Sequence, residues 1–464
     1  MPRTRTILTL LLLAAAGPGL RAAVFSPASY GAVLDGKTND GAALQKAIDA
    51  AAAAGGGIVA VPAGCSLMSG SIELKSNVIL NLEPGSRLVG STQLSDYREF
   101  RTPGATPPGN EQAVDYVDRI FILARHAENV GITGTGVIDG RGLEFLGKEG
   151  PYIFAKKPDR PRLILFEDCK RVRVSDVSIR EAAFWSLHLA GCEDVSIHGI
   201  SIRNSLKAPN CDGIDPDHSR NVRITDCSVE CGDDAIVIKT SREFAQYGPC
   251  ENIIVSHCVL TTHDCALKIG SETVDAVRNI VFSDCVVNQC NRGIGIMLRD
   301  EGSVENIVAH DIVIHSQLFY PEWWGSSEAV YVNAHPREPG GKIGKVRELR
   351  FSHITSHAEA GVFIQGCPEC VPEDIILDDV TLDIAKTTPW PSRTDLRPPE
   401  ELGVQEKGIV IAGIHLQDAR QVTIRDCTVR WGANAPASYG PALRTERVAD
   451  LDVEGFHGSD AHQP

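Results

Sequence analysis

Short runs in which every second residue is apolar recur along this chain from Val78 to Leu451. That alternation predicts strands buried on one face. The runs begin at Val78, Val130, Val172, Val195, Val222, Ile253, Ile280, Ile307, Leu349, Ile375, Val422 and Leu451, and from Val172 to Ile307 the intervals are 23, 27, 31, 27 and 27 residues. Most units from Val172 onward carry a second such strand five residues later, as in Val172/Val177, Val195/Ile200 and Ile307/Ile312. Units of this size, built of short strands and polar turns, predict an all-β parallel β-helix in which each unit contacts only its neighbours. Leucine-rich repeats share the length, but the strict leucine spacing is missing and no helical stretch recurs. Two longer intervals, after Ile307 and after Ile375, predict loop insertions over 317–345 and 386–406.

The amino-terminal region departs from this rhythm. Leu44, Ala47, Ile48 and Ala51 fall on one face of a helix over 41–53, with Asp40 placed to cap it. Gly55 to Gly57 end the helix, and a buried strand follows over 58–61. A short helix here caps the open end of the stack, which a solenoid needs. Residues 1–23 read as a signal peptide: Arg3 and Arg5, an apolar run over 7–16, then small residues. The expectation is therefore a secreted or periplasmic protein with one β-helix domain over 24–464. No run is long enough to span a bilayer. The net charge of −15 argues against nucleic acid as a partner. The chain is expected to act as a monomer.

Fourteen cysteines in an exported chain would ordinarily predict disulfides. The repeat argues otherwise for four of them. Cys227, Cys258, Cys285 and Cys427 each fall five residues after the first strand residue of their unit, in the column held elsewhere by Val177, Ile200 and Ile312. They read as small buried hydrophobes with free thiols. Cys367 and Cys370 have metal-like spacing but no second pair nearby, so a loop disulfide or two free thiols is expected rather than zinc.

Chemistry concentrates between residues 210 and 239, where six aspartates fall within thirty residues. The runs starting at Asp212 and Asp234 superpose with an offset of 22 positions, Ile214 upon Ile236. If that offset is one coil, the two aspartates sit on neighbouring rungs about 4.8 Å apart, with Asp233 beside them. Carboxylates this close push at least one pKa up, as general acid catalysis requires.

The strings NCDGID at 210–215, GDDAI at 232–236, RGIGIMLR at 292–299 and the opening YGAVLDGKTND resemble glycoside hydrolase family 28, the polygalacturonases and related pectin hydrolases. The resemblance implies a right-handed β-helix and hydrolysis with inversion, without metal or cofactor. It places the general acid on Asp233 and the water-activating pair on Asp212 and Asp234. Such a pair of functions ordinarily needs carboxyl groups about 6.5–9.5 Å apart.

Two departures stand out. Where the family carries Gly-His-Gly, this chain has Asp264-Cys265-Ala266, with His263 two residues before Cys265. The family's Arg-x-Lys pair aligns with Met297-Leu298-Arg299, so one cation is lost. Stacking Ile214, Ile236, Leu267 and Ile296 as inward residues gives outward columns Asp215–Val237–Lys268–Met297 and Asp217–Lys239–Gly270–Arg299. On that register Lys268, Arg299 and Lys239 form a rearranged patch that holds a substrate anion. Alternatively, Lys239 and Lys268 pair with Asp215 and Asp217 across rungs. His188 occupies an outward slot, either touching substrate or buried and satisfied, and His218 could tune Asp217. Trp323 and Trp324 offer a sugar-stacking face or merely anchor their loop.

The reading these features support is an exported hydrolase of an acidic, pectin-like polysaccharide. A polysaccharide lyase using Ca²⁺ on the same fold, or a non-catalytic carbohydrate-binding β-helix, are the rivals.

Overall fold

The computed structural model describes residues 23–100, 118–320, 325–393, 410–433 and 435–463. The leader-like segment up to Ala22, Trp323 and Trp324 lie outside them. Within them the chain winds into a right-handed parallel β-helix whose strands pair in parallel with their counterparts one turn later, apart from the short strand Glu99–Phe100, which pairs antiparallel with residues 118–119. No helix among the described residues is long and apolar enough to cross a membrane.

A complete rung has three strands, such as Glu193–His198, Ser201–Arg203 and Ile214–Asp217. The first two are those the apolar alternation predicts. The third lies on the sheet that carries the aspartates, whose strands between Ile72–Leu74 at one end and residues 414–417 at the other are Asp118–Arg125 (β1), Arg162–Glu167 (β2), Phe184–Ala190 (β3), Ile214–Asp217 (β4), Ile236–Thr240 (β5), Cys265–Thr273 (β6), Arg292–Leu298 (β7), Glu328–Ala334 (β8) and Ala360–Gln365 (β9). The segment 317–345, expected as a loop insertion, therefore contains a strand of the sheet, β8. Its sequence EAVYVNA is apolar on both faces, so the one-sided alternation misses it.

The core is the stack of first-strand residues. Val195, Val222, Ile253, Ile280, Ile307, Leu349, Ile375, Val422 and Leu451 follow one another in direct register. Before each strand the backbone turns through the left-handed region, repeatedly at asparagine: Asn221, Asn252, Asn279 and Asn306 have φ between 54° and 59°. Asparagine tolerates that conformation better than most residues. Stacking also lets each amide donate to the one below, at 3.2, 2.9 and 2.9 Å from Asn252 to Asn306.

Helix α1 spans Gly41–Ala53 and buries Leu44, Ala47, Ile48 and Ala51 against the first rungs. Asp40 does not cap it through its side chain. Its carboxylate turns back and accepts the N–H groups of Val33 and Leu34 at 2.8 and 2.7 Å.

All fourteen cysteines are free thiols, and only Cys65 is not buried. Cys227, Cys258 and Cys285 stack as the repeat predicts, and their thiols, like that of Cys427, donate to the carbonyl two residues earlier at 3.1–3.3 Å. This bond is the counterpart that the sequence does not reveal. A serine at Cys258 would keep a donor to Ser256, so Cys258→Ser should cost about 1 kcal/mol rather than the full penalty of an orphaned hydroxyl. In denaturant without reductant, a thiol reagent should label all fourteen sites by intact mass. In the native protein it should label Cys65 first. Resistance of any site until reductant is added would reveal a disulfide.

Candidate active site

Asp212 and Asp234 occupy the same place on successive rungs, immediately before β4 and β5. The Gly213 N–H donates to the Asp234 carbonyl at 2.9 Å, and the Ala235 N–H to the Cys265 carbonyl at 2.9 Å, which locks the rungs together at this corner. Asp233 lies in the turn beside them. Its two carboxylate oxygens accept N–H bonds from Asn210 at 2.9 Å and Asp234 at 3.0 Å. Each of the three aspartates offers an oxygen within 4.8 Å of the others, all from side chains at most 8% exposed. That separation is closer than the spacing ordinarily associated with an inverting pair, so the stereochemical outcome does not follow from it.

Burial pushes Asp212 well above the usual carboxylate range, and the charges of Asp233 and Asp215 add to the effect. Burial also raises Asp234, with the Lys268 ammonium opposing it. Asp215, on the outward face of β4, rises to about 6 for the same reason despite Lys239. The two lysines supply the compensating charge. Lys268 Nζ lies 2.5 Å from Asp234, while Lys239 Nζ is 2.7 Å from Asp215 and 3.7 Å from Asp212. Burial works against the Lys239 charge, but Asp215 and Asp212 more than offset it. Its ammonium also sits 3.9 Å over the ring of Trp185.

These pairings bear on the two sequence readings of the lysines. Both are engaged with carboxylates inside the site, Lys239 with Asp215 as one reading has it. Lys268 pairs with Asp234. The expected register also needs correction at the last rung. Leu267 lies opposite Ile294, not Ile296, so Lys268 faces Gly295, and Met297 faces Asn333. Lys268 therefore does not replace a cation at 297 one rung away. Arg299 is buried and lies two residues beyond Met297 on β7's far side, near His335, whose pKa falls to about 4 through burial and the Arg299 charge.

His188 does stand on the outward face of β3, but it is fully enclosed. Arg162 is 2.8 Å from Nδ1, Asp217 is 3.3 Å from Nε2, and Phe244 covers the ring. It is the satisfied histidine of the two alternatives, with burial pushing its pKa down to about 4. His218 turns its ring nitrogens to the carbonyls of Gly248 and Ser241, yet its Nε2 lies 3.9 Å from Asp217. Against burial, which raises it, the bond from His188 first and then the charges of His188 and His218 hold Asp217 below the usual carboxylate range. His263 stacks on Phe319 at 4.0 Å, and burial lowers it to about 4. Trp323 lies outside the described residues.

Sequence reasoning missed two groups around the aspartates. One is the segment Arg242–Tyr247, which folds back over the outward faces of β1 to β3. The signal for it is in RIFILA at 119–124 and RLILF at 162–166: continuous apolar strands are covered on both sides. The other is Arg292, fully buried, with Nε 3.2 Å from Glu328 and its guanidinium 3.7 Å from the Tyr331 ring centre.

The model of the family described as "Glycosyl hydrolases family 28" matches residues 75–392. A second, "Rhamnogalacturonase A/epimerase, pectate lyase-like", matches 25–91. A probable polygalacturonase of Vitis vinifera is 28% identical, the match covering 56% of this chain and 54% of the relative. An exo-poly-alpha-D-galacturonosidase of Dickeya chrysanthemi is 27% identical over 46% of this chain and 41% of its own. The chain thus spans about half the length of the curated relatives it matches. Among solved structures, the exopolygalacturonase of Thermotoga maritima superposes with a TM-score of 0.67 at 24% identity, covering 80% of this chain and 89% of that one. The family 28 exopolygalacturonase of Yersinia enterocolitica gives 0.68 at 18%, covering 94% and 79%. At these identities the superpositions show the fold.

Lys268→Met should separate the roles open to that lysine. Without the ammonium the Asp234 carboxyl rises further, so activity that needs it ionised should be lost at higher pH, moving the acid limb of the kcat/KM profile upward. The loss, about 1.5–3 kcal/mol for a bond to a charged group, should fall equally on charged and uncharged substrates of one length. A loss confined to the charged substrate, with the acid limb unmoved, would instead make Lys268 a contact for a substrate anion.

Proposed function

Because this chain belongs to glycosyl hydrolase family 28, we propose that it hydrolyses glycosidic bonds of an acidic, pectin-like polysaccharide by single displacement, as an exported single-chain enzyme. The observation that carries this reading is the convergence of Asp212, Asp233 and Asp234 within 4.8 Å on the outer corner of two adjacent rungs. Asp233 protonates the leaving oxygen. Asp234, kept anionic by Lys268, and Asp212 orient the attacking water on the opposite face. The role of each aspartate is supported by its match to the family motif, and for Asp212 and Asp234 also by the lysine each meets.

The trio of carboxylates could also hold a divalent cation, as a lyase would need. The ammonium groups of Lys268 and Lys239 already stand against the Asp234 and Asp212 members of that set, which favours hydrolysis. A chelator should leave the rate unchanged, and the products should carry no unsaturated sugar. Loss of activity with chelator together with new ultraviolet absorbance would establish elimination instead.

Asp233→Asn should lower kcat by ~10²–10⁴-fold, the usual worth of a general acid, with the fold intact by circular dichroism. Near-normal turnover by the folded variant would remove Asp233 from the mechanism. Proton NMR of the first product formed, before mutarotation, should show the anomer inverted.

A further inference from the structure

The aspartates do not lie in an open groove. A polymer cut at internal bonds must continue along the outward face of the sheet on both sides of the scissile bond. Here both continuations are filled by the protein.

Toward the amino terminus, the outward side chains Leu123 of β1 and Leu165 of β2, with Ala190 at the end of β3, are at most 2% exposed. With Ile120 they form a second apolar cluster, outside the coil, closed by Phe244 and flanked by Tyr247. Polar bonds fasten this cover to the rungs beneath. Arg162, itself fully buried, lies 3.3 Å from Glu243, and the Tyr247 hydroxyl lies 3.2 Å from Glu167. The cover comes from the chain directly after β5, so it is anchored to the rung that carries Asp234.

Toward the carboxyl terminus, Arg292 and Glu328 succeed Asp212, Asp234 and Cys265 in the same corner position. Both are buried and paired at 3.2 Å, with Tyr331 and Met297 beside them at 1% and 0% exposure. The backbone of Gly325 lies against this group, so close that a β-carbon there would stand 3.4 Å from Arg292 Nη2. Ser326 then donates its N–H to Glu328 at 2.8 Å. Between the two covers lie the rungs of β4, β5 and β6, about 14 Å at ~4.8 Å per rung.

From this we infer that the enzyme is exo-acting: its site is a pocket that takes the end of an acidic glycan chain and releases a short product of fixed size. The inference rests on the hydrolytic reading above and goes beyond it, since that reading applies equally to a groove. Walls that contribute apolar packing and ion pairs to the fold do not open for a passing chain without breaking those contacts.

The test uses the whole protein and an acidic homo-oligosaccharide, an oligogalacturonate of defined length, labelled at its reducing end. Chain-end action gives one of two patterns. The labelled species shortens step by step, with intermediate lengths appearing in succession, or the label passes at once into a single smallest product. Either supports the inference, and on the polymer both should show viscosity lagging behind the release of reducing ends. Labelled fragments of many lengths at the first time point, with early collapse of viscosity, would overturn it while leaving hydrolysis established. No cleavage of any acidic glycan would overturn the hydrolytic reading, and this one with it.

Discussion

Every backbone hydrogen bond between coils fixes the next coil at one spacing and one register, and the placement of the site follows from that constraint. Asp212 and Asp234 are far enough apart in sequence to complete a turn, and the bonds from Gly213 to Asp234 and from Ala235 to Cys265 hold their corner in register. The same register continues the corner position through Cys265, Arg292 and Glu328. A carboxylate pair, a thiol and a buried ion pair therefore occupy equivalent places, and their different chemistry comes from side chains alone. Catalytic geometry in such a fold is set by counting rungs, with no need for a dedicated loop.

That constraint also explains what the sequence revealed. Strands with one apolar face announce themselves by alternation, and so the first two strands of each rung, the column of cysteines and the offset from Asp212 to Asp234 were all legible. The third strand of the rung was harder to see. In β7 and β8 the outward residues are covered by the protein itself, so GIGIML and EAVYV carry no polar alternation. With that signal gone, a two-residue slip placed Ile296 opposite Leu267, and the partner of Lys268 was misread. The pairing of each lysine depends on side-chain reach across rungs, which periodicity does not encode. The same holds for Asp40, which has a capping position but bonds two N–H groups of the preceding loop instead.

Burial of so much charge around one corner has an electrostatic consequence. Asp212 and Asp215 share Lys239, and Asp234 meets Lys268. Two ammonium groups set against three carboxylates in a poorly solvated site leave the desolvation of the carboxylates incompletely offset, which favours their protonated forms. This is why burial raises Asp212, Asp215 and Asp234 together rather than one alone.

The covers over the neighbouring rungs make that balance possible. If β1 to β3 and β7 to β8 presented an open face, water would reach the corner from both ends of the sheet and screen the carboxylates from one another. Phe244 with its apolar cluster on one side, and the Arg292–Glu328 pair under Gly325 on the other, exclude it. His188 shows the cost and the limit of this arrangement: it is buried deeply enough to fall to about 4, yet it remains bonded to Arg162 and Asp217. The covers over the neighbouring rungs thus also set the dielectric of this corner. A change that opened either side would let water reach the corner and lower the carboxyl pKa values of Asp212, Asp215 and Asp234, which burial now raises.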